Sequence, residues 1–458
     1  MARKEPDVTA VADQARLTAY RVLSAADRGA KVNEALQRSL AGTTHGTRDR
    51  RFITDLVMGT TRMRARLDRD LAACYRGRYT GIEARVKRLL RLGAYQLLFM
   101  DRVPAHAALN TTVELARAVQ RARAAGLVNG VLRQLSRQSA TESPAADASP
   151  QALAAAYSHP EWMVRRWLDV WGREKTGALM EWNNRRPTVW LRPRQDEAAR
   201  HKLTEMATAE GVKLRSHPLM SDYVAASPSP APLLTAEVIN AGLFIVQDPS
   251  SGAVLQVVDP QPGEVIIDLC AGPGGKTAAL AERVGAEGRV LAYEIDPQRV
   301  ELLRETVSRM GLGNVDIFPG DATAAPLPLA DKVLLDVPCT GTGVIARRAD
   351  LRWRRRPEDL GDLTKLQASL LKHAARNLRP GGVLIYATCS LEAEENRELV
   401  EEFLSKEAGF SLAVLPRGIP RAWCDNDGAL ATFPPEHEVD GMFAVRLESK
   451  AVEQGGVR

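Results

Sequence analysis

The stretch "VIIDLCAGPGGKT", residues 265–277, decides the fold of the second half of the chain. Its first five residues are a short apolar run rich in β-branched side chains, as in a strand buried on both faces. Three glycines follow, Gly272, Gly274 and Gly275, and "KTAALAERV" then carries the spacing of a helix. A phosphate loop of the form G-x-x-x-x-G-K-[ST] is excluded, because Cys270 stands where its first glycine belongs. A dinucleotide fingerprint starting at Gly272 is excluded as well, because Thr277 takes the third glycine position. What remains is a glycine-rich turn from strand to helix, where missing side chains let a ligand touch the backbone.

Downstream the alternation continues. "VLAYE" (290–294), "VDIF" (315–318), "VLLDV" (333–337) and "VLIYAT" (383–388) are further apolar strands. Helices are expected near 276–285, 297–310, 358–378 and 391–406. This order predicts an α/β fold class: a Rossmann-like domain over 236–450, its parallel sheet covered on both faces and its ligands bound beyond the carboxyl ends of the strands.

Upstream, residues 1–140 predict an all-helical domain. "ARLTAYRVL" places Leu17, Tyr20 and Leu23 on one face, and "RVKRLLRLGAYQLLF" alternates an arginine face with a leucine face. Residues 141–235 predict a linker, rich in Ser, Ala and Pro at 138–151, and a small mixed connecting unit. In that unit "SHPEWMVRRWLDVWG" reads as a helix packing through Trp162, Val164, Trp167, Leu168 and Trp171, and 188–194 and 222–227 read as strands.

Glu294 ends the second strand, 22 residues after Gly272, where an acid can hold two ribose hydroxyls. Asp321 follows the third strand, a natural contact for an adenine edge. Glycine loop, strand-two acid and strand-three Asp in this order describe a pocket for S-adenosylmethionine.

The fourth strand ends in "DVPCTGTG" with Asp336 and Cys339, and the fifth in "ATCSL" with Cys389. Adjacent parallel strands lie about 4.8 Å apart, so both cysteines can share one site. Carbon 5 of cytosine is too weak a nucleophile to attack a sulfonium methyl directly. A thiolate adding to carbon 6 makes carbon 5 enamine-like, and a carboxyl near ring nitrogen 3, placed as Asp336 is, stabilises the adduct. A free thiol titrates near about 8.5, so this chemistry needs an activated one. A helix starting just after Cys389 would favour the thiolate, and Glu392, Glu394 and Glu395 would oppose it.

"DLCAGPGGKT", "DVPCTGTG" and "ATCSL" resemble the motifs of the RNA cytosine-5 methyltransferase family. "RRFITDLVMGTTR", "VPAHAALNTTVELAR" and "GLVNGVLR" resemble the antitermination-factor-like (NusB-like) domain of its Fmu subgroup, ribosomal RNA small-subunit methyltransferase B. "SHPEWMV", "FIVQDPSSG", "GVIARRADLRWRRR" and "DGMFAVRL" match that subgroup's layout, so the resemblance covers nearly the whole chain. It implies Cys389 as the nucleophile and Cys339 as an aid to product release. It implies cofactor contacts from Cys270, Ala271, Gly272, Pro273, Gly274, Gly275, Lys276, Glu294, Asp321 and Asp336. DNA cytosine-5 enzymes attack with the P-C cysteine and lack the T-C-S one, so the presence of both points to RNA. Three positions depart mildly from the family: Gly272 for the usual Ala, Glu294 for the frequent Asp, and D-G-M-F for D-G-F-F.

The formal charge of +6 conceals an imbalance. Residues 1–140 hold 26 Lys and Arg against 12 Asp and Glu, and 23 of the 26 are arginines suited to phosphate contacts. "RRADLRWRRR" adds Arg347, Arg348, Arg352, Arg354, Arg355 and Arg356, expected as RNA contacts holding a target nucleotide. The five cysteines form no C-x-x-C pair and the histidines no ligand grouping, so no metal is expected. No apolar stretch approaches the ~20 residues of a membrane span, and a cytoplasmic, monomeric protein with RNA as partner is expected. Two rival functions share these features: a transfer-RNA cytosine-5 methyltransferase, and a non-catalytic RNA-binding or ribosome assembly factor.

Overall fold

The structure is a computed structural model that describes residues 13–41, 43–119, 121–138, 145 and 147–450. Residues 139–144 and 146 of the linker expected at 138–151 lie outside the described residues. The chain divides into two compact units, Met1–Arg185 with Ile345–Arg354, and Arg186–Val344 with Arg355–Arg458.

In the first unit the described residues are helical, without strands. Asp13 caps the helix Gln14–Ala26 by accepting the Arg16 N–H at 3.1 Å. Leu23 and Tyr20 of that helix join a core with Leu56, Leu67, Leu71, Leu89, Leu90 and Leu132. The unit runs past residue 140 to include the helices Pro150–Ala156 and Glu161–Asn184. Ser158 explains part of this extension: its Oγ accepts the Ala65 N–H at 3.0 Å. Val164 and Trp167 are buried on the long helix, which breaks at Gly172, where φ is +71°. The arginine face expected on Ala84–Phe99 is partly internal. Arg88 is buried against Asp27, and Arg91 binds Asp68 through two bonds of 2.7 Å.

The second unit holds two sheets. The smaller contains β1 (Trp190–Pro193), β2 (Lys213–Ser216), β3 (Val224–Ser227) and β4 (Phe244–Val246) in the order β2-β3-β1-β4, all antiparallel. The larger contains β5 (Val265–Asp268), β6 (Arg289–Glu294), β7 (Val315–Pro319), β8 (Ala330–Asp336), β9 (Leu378–Thr388), β10 (Phe410–Leu412), β11 (Leu430–Ala431) and β12 (Phe443–Ser449). Its order is β10-β12-β9-β8-β5-β6-β7, with β11 paired to β12.

From β9 to β7 the strands are parallel, as the apolar runs predict. The sequence reading missed that β12 and β10 extend this sheet antiparallel beyond β9. Connections leave β5 toward β6 on one side and reach β8 on the other, so the strand order reverses between β5 and β8. Ligand crevices of open α/β sheets form at such a point, above the strand ends.

Candidate active site

The glycine loop starts where β5 ends. Asp268 is buried and accepts the Thr277 hydroxyl at 2.7 Å, which fastens the strand end to the first turn of the helix Gly275–Val284. Gly272 and Gly274 have φ of +56° and +88°, where a side chain is strained. A Cβ on Gly274 would also meet Leu303 Cδ1 at 2.6 Å, whereas Gly272 borders open space. Ala271 is buried, its N–H bonded to Tyr293 O at 3.0 Å, and Pro273 O accepts the Thr306 hydroxyl at 3.0 Å. Burial pushes the Cys270 thiol up, with Asp268 adding to it, so Cys270 lines the loop as a neutral group.

Glu294, buried at the end of β6, accepts N–H groups from Gly272 and Asp296, each at 2.9 Å. The strand-two acid thus shapes the glycine loop directly. Ile295, which follows it, is exposed although large and apolar; the sequence reading passed over it. Asp321 is exposed two residues beyond β7, and the Thr323 N–H and hydroxyl, each at 2.8 Å, hold its carboxyl below the usual range.

Asp336 ends β8 and pairs with Lys276 Nζ at 2.7 Å. Burial opposes the Lys276 charge, but the carboxylate of Asp336, then the sulfur of Cys389 and Asp268, raise its pKa overall. Lys276 is therefore held as a charged ammonium beside Asp336. The helix expected to start at 391 starts later: a single turn spans Ala393–Glu395 and the α-helix begins at Arg397. The acid-rich segment closes first into a tight turn because Glu392 and Glu395 are themselves buried.

Asp336 stands opposite Ala387 in the β8–β9 register, and the loops beyond bring the Cys339 and Cys389 sulfurs to 3.2 Å. Several bonds lock these loops together. Gly343 donates its N–H to Cys389 O at 3.0 Å, and Gly441 donates to Gly343 O at 2.9 Å. A Cβ on Gly343 would lie 2.3 Å from Gly441 O, so only glycine permits this approach. Leu391 donates its N–H to Thr342 Oγ1 at 2.9 Å, and the Thr340 and Ser390 hydroxyls meet at 3.0 Å. The Cys389 hydrogen bond and burial, with the Cys389 charge, push the Cys339 thiol well up.

The arginine cluster divides. Arg348, Arg354 and Arg356 are exposed and Arg347 is half-buried. Arg352, expected to contact phosphate, is fully buried in the helical unit. Its guanidinium donates to Ser158 O at 2.9 Å, Asn184 Oδ1 at 2.8 Å and Asn183 O at 2.8 Å, and so cannot present itself to RNA. Beside it, Trp353 Nε1 donates to Thr61 O at 2.7 Å. Arg355 is also spoken for, donating to Thr340 O at 2.9 Å and Cys339 O at 2.5 Å. Among the described residues no group of His, Cys, Asp and Glu could hold a metal, and no helix is long and apolar enough to cross a membrane.

This arrangement of glycine loop, strand-end acids and sheet order defines a Rossmann-like S-adenosylmethionine-dependent methyltransferase. Comparison with known proteins narrows the class. Residues 255–448 match the family model "16S rRNA methyltransferase RsmB/F", 13–137 match the NusB family, and 159–225 match the ferredoxin-like domain of RsmF/B-like methyltransferases. Ribosomal RNA small subunit methyltransferase B of Cronobacter sakazakii is 35% identical over 412 residues, covering 88% of this chain and 91% of that protein. The probable ribosomal RNA small subunit methyltransferase B of Synechocystis is 32% identical over 92% of this chain and 96% of its own length. The crystal structure of PH0851 superposes with a TM-score of 0.80 at 25% identity, covering 94% of this chain and 97% of that one. The chain belongs to the ribosomal RNA small subunit methyltransferase B family.

S-adenosylmethionine is the cofactor of this class, and the residues present fit it. The Gly272 cradle is open, and Asp268 Oδ1 is buried without a hydrogen-bond partner among the described residues.

Proposed function

We propose that the protein methylates carbon 5 of a cytidine in small-subunit (16S) ribosomal RNA through a covalent adduct between Cys389 and carbon 6. The observation that carries this reading is the 3.2 Å meeting of two strand-end thiols beside the Lys276–Asp336 pair. The glycine loop, Glu294, Ile295 and Asp321 would hold S-adenosylmethionine, which supplies an electrophilic methyl group.

Lys276 favours the Cys389 thiolate, whose sulfur bonds to carbon 6. The electron pair displaced from the ring collects at nitrogen 3, which takes a proton relayed through the Asp336 carboxylate from the Lys276 ammonium 2.7 Å away. Carbon 5 then carries the nucleophilic pair. After methylation nitrogen 3 returns its proton along the same path, a water molecule takes the carbon 5 proton, and that electron pair forms the carbon 5–carbon 6 double bond as Cys389 leaves as a thiolate. Cys339 keeps its proton and lends an S–H hydrogen bond to the departing Cys389 sulfur, which eases this last step. In this reading Arg347 and the exposed Arg348, Arg354 and Arg356 are phosphate contacts, which their exposure supports. The substrate assignment rests on the curated relatives named for ribosomal RNA. Bisulfite mapping of 16S ribosomal RNA from cells with and without the protein tests it: one protected cytidine should lose protection when the protein is absent. Loss at a transfer RNA position instead would move the activity to that substrate.

A further inference from the structure

Glu395 lies directly behind the Cys339 loop. It is fully buried, and its carboxylate accepts the Thr340 N–H at 2.8 Å, the Thr340 hydroxyl at 2.5 Å and Gln367 Nε2 at 2.9 Å. Gln367 also donates to Pro338 O at 2.9 Å, and Tyr386 donates its hydroxyl to Glu395 O at 2.6 Å. Among the described residues Glu395 has no ion-pair partner. Burying such a charge is costly unless hydrogen bonds offset it, and an apolar residue would hold a loop at less expense.

From the other side Arg355 donates to the carbonyls of Cys339 and Thr340. The peptide unit Cys339–Thr340 is thus gripped at its N–H by an anion, and at its own carbonyl and the next one by a cation. Charge-assisted bonds are shorter and about twice as strong as neutral ones, so the grip is stiff. The same Thr340 hydroxyl meets Ser390 beside Cys389, which ties the grip to the other thiol.

We propose that Glu395 and Arg355 are positioning residues that clamp the Cys339–Thr340 peptide, fixing Cys339 as the thiol donor and leaving Cys389 as the reactive sulfur. The assignment rests on the reading of Cys389 as nucleophile. Both residues act through Cys339 and Thr340. The negative charge of Glu395 further opposes ionisation of Cys339, after the Cys389 contact and burial.

Alkylation of the full-length protein with iodoacetamide, without RNA, reads this directly. Peptide mass spectrometry at low conversion gives the ratio of modification at Cys339 to that at Cys389. The wild type should be modified at Cys389, with Cys339 spared. Glu395→Gln keeps the shape and removes the charge; it should raise the Cys339 share about ten-fold while the melting temperature holds. Arg355→Ala should raise it in the same direction, and it decides the matter if Glu395→Gln does not fold. An unchanged ratio in whichever variants fold overturns the clamp. Failure of the nucleophile reading is separate: it shows as methylation surviving Cys389→Ala, whatever the alkylation ratio.

Discussion

The sulfurs of Cys339 and Cys389 lie 3.2 Å apart although 50 residues separate them in the chain. Adjacent parallel strands produce this closeness, because β8 and β9 end side by side, with Cys339 three residues beyond β8 and Cys389 directly after β9. A single thiol at a strand end could be a small buried hydrophobe. In the proposed mechanism two thiols in contact divide the work of attack and release.

The Lys276 charge acts on that division. A cation near a thiolate lowers the pH at which the thiolate forms, and Lys276, with its own pKa raised, stays charged throughout that range. Lys276→Met should therefore move the rising limb of the single-turnover pH profile to higher pH by about one to two units. Activity at neutral pH should fall about ten-fold or more and recover on the alkaline side. Single-turnover rates at saturating S-adenosylmethionine between pH 6 and 10 measure this, and a limb that stays in place speaks against activation by Lys276.

Asp268 links the cofactor loop to stability. Burial pushes its carboxyl up to about 7. An unfolded carboxyl titrates near about 3.9, so between about pH 4 and 7 the folded state holds a proton that the unfolded state has lost. Stability from this group is therefore full at low pH and declines as pH rises toward 7. Urea unfolding of wild type and Asp268→Asn should differ in slope by about 1 kcal/mol per pH unit across that window, the wild type falling faster. Equal slopes would remove Asp268 as the source.

The arginines of 347–356 should separate by burial. Arg352→Ala leaves three acceptors without their donor in a buried place, and should destabilise the helical unit by about 3 kcal/mol. Arg356→Ala should leave stability within about 0.5 kcal/mol and lower the salt dependence of RNA binding by about one phosphate contact. Denaturant melts and binding titrations at several salt concentrations check both. A stable Arg352→Ala with weakened RNA binding would reverse the assignment.

Much of this was legible in the sequence, for a physical reason. Apolar runs such as 265–268 and 333–336 signal buried parallel strands wherever they occur, and the glycines at 272 and 274 stand where φ is positive. Strand adjacency then brings Cys339 and Cys389 together. Arg352 was not legible, because its acceptors lie at 158, 183 and 184, far away in the chain, with no local pattern to mark them. Glu395 falls in the helix expected near 391–406, where acid-rich composition gives no sign of burial. Its burial depends on Thr340 and Gln367, which only the fold assembles. The antiparallel strand β12 is hidden for a related reason: its pairing with β9 joins residues far apart in the chain.

The covalent adduct between protein and RNA tests the central claim most directly. A 16S ribosomal RNA transcript containing the mapped cytidine, incubated with S-adenosylmethionine and each variant, is resolved on a denaturing gel alongside a methylation count. The wild type should turn over with little trapped RNA, Cys389→Ala should give neither adduct nor methylated product, and Cys339→Ala should accumulate adduct that resolves slowly. Full turnover by Cys389→Ala, with adduct formation lost in Cys339→Ala, would contradict the account.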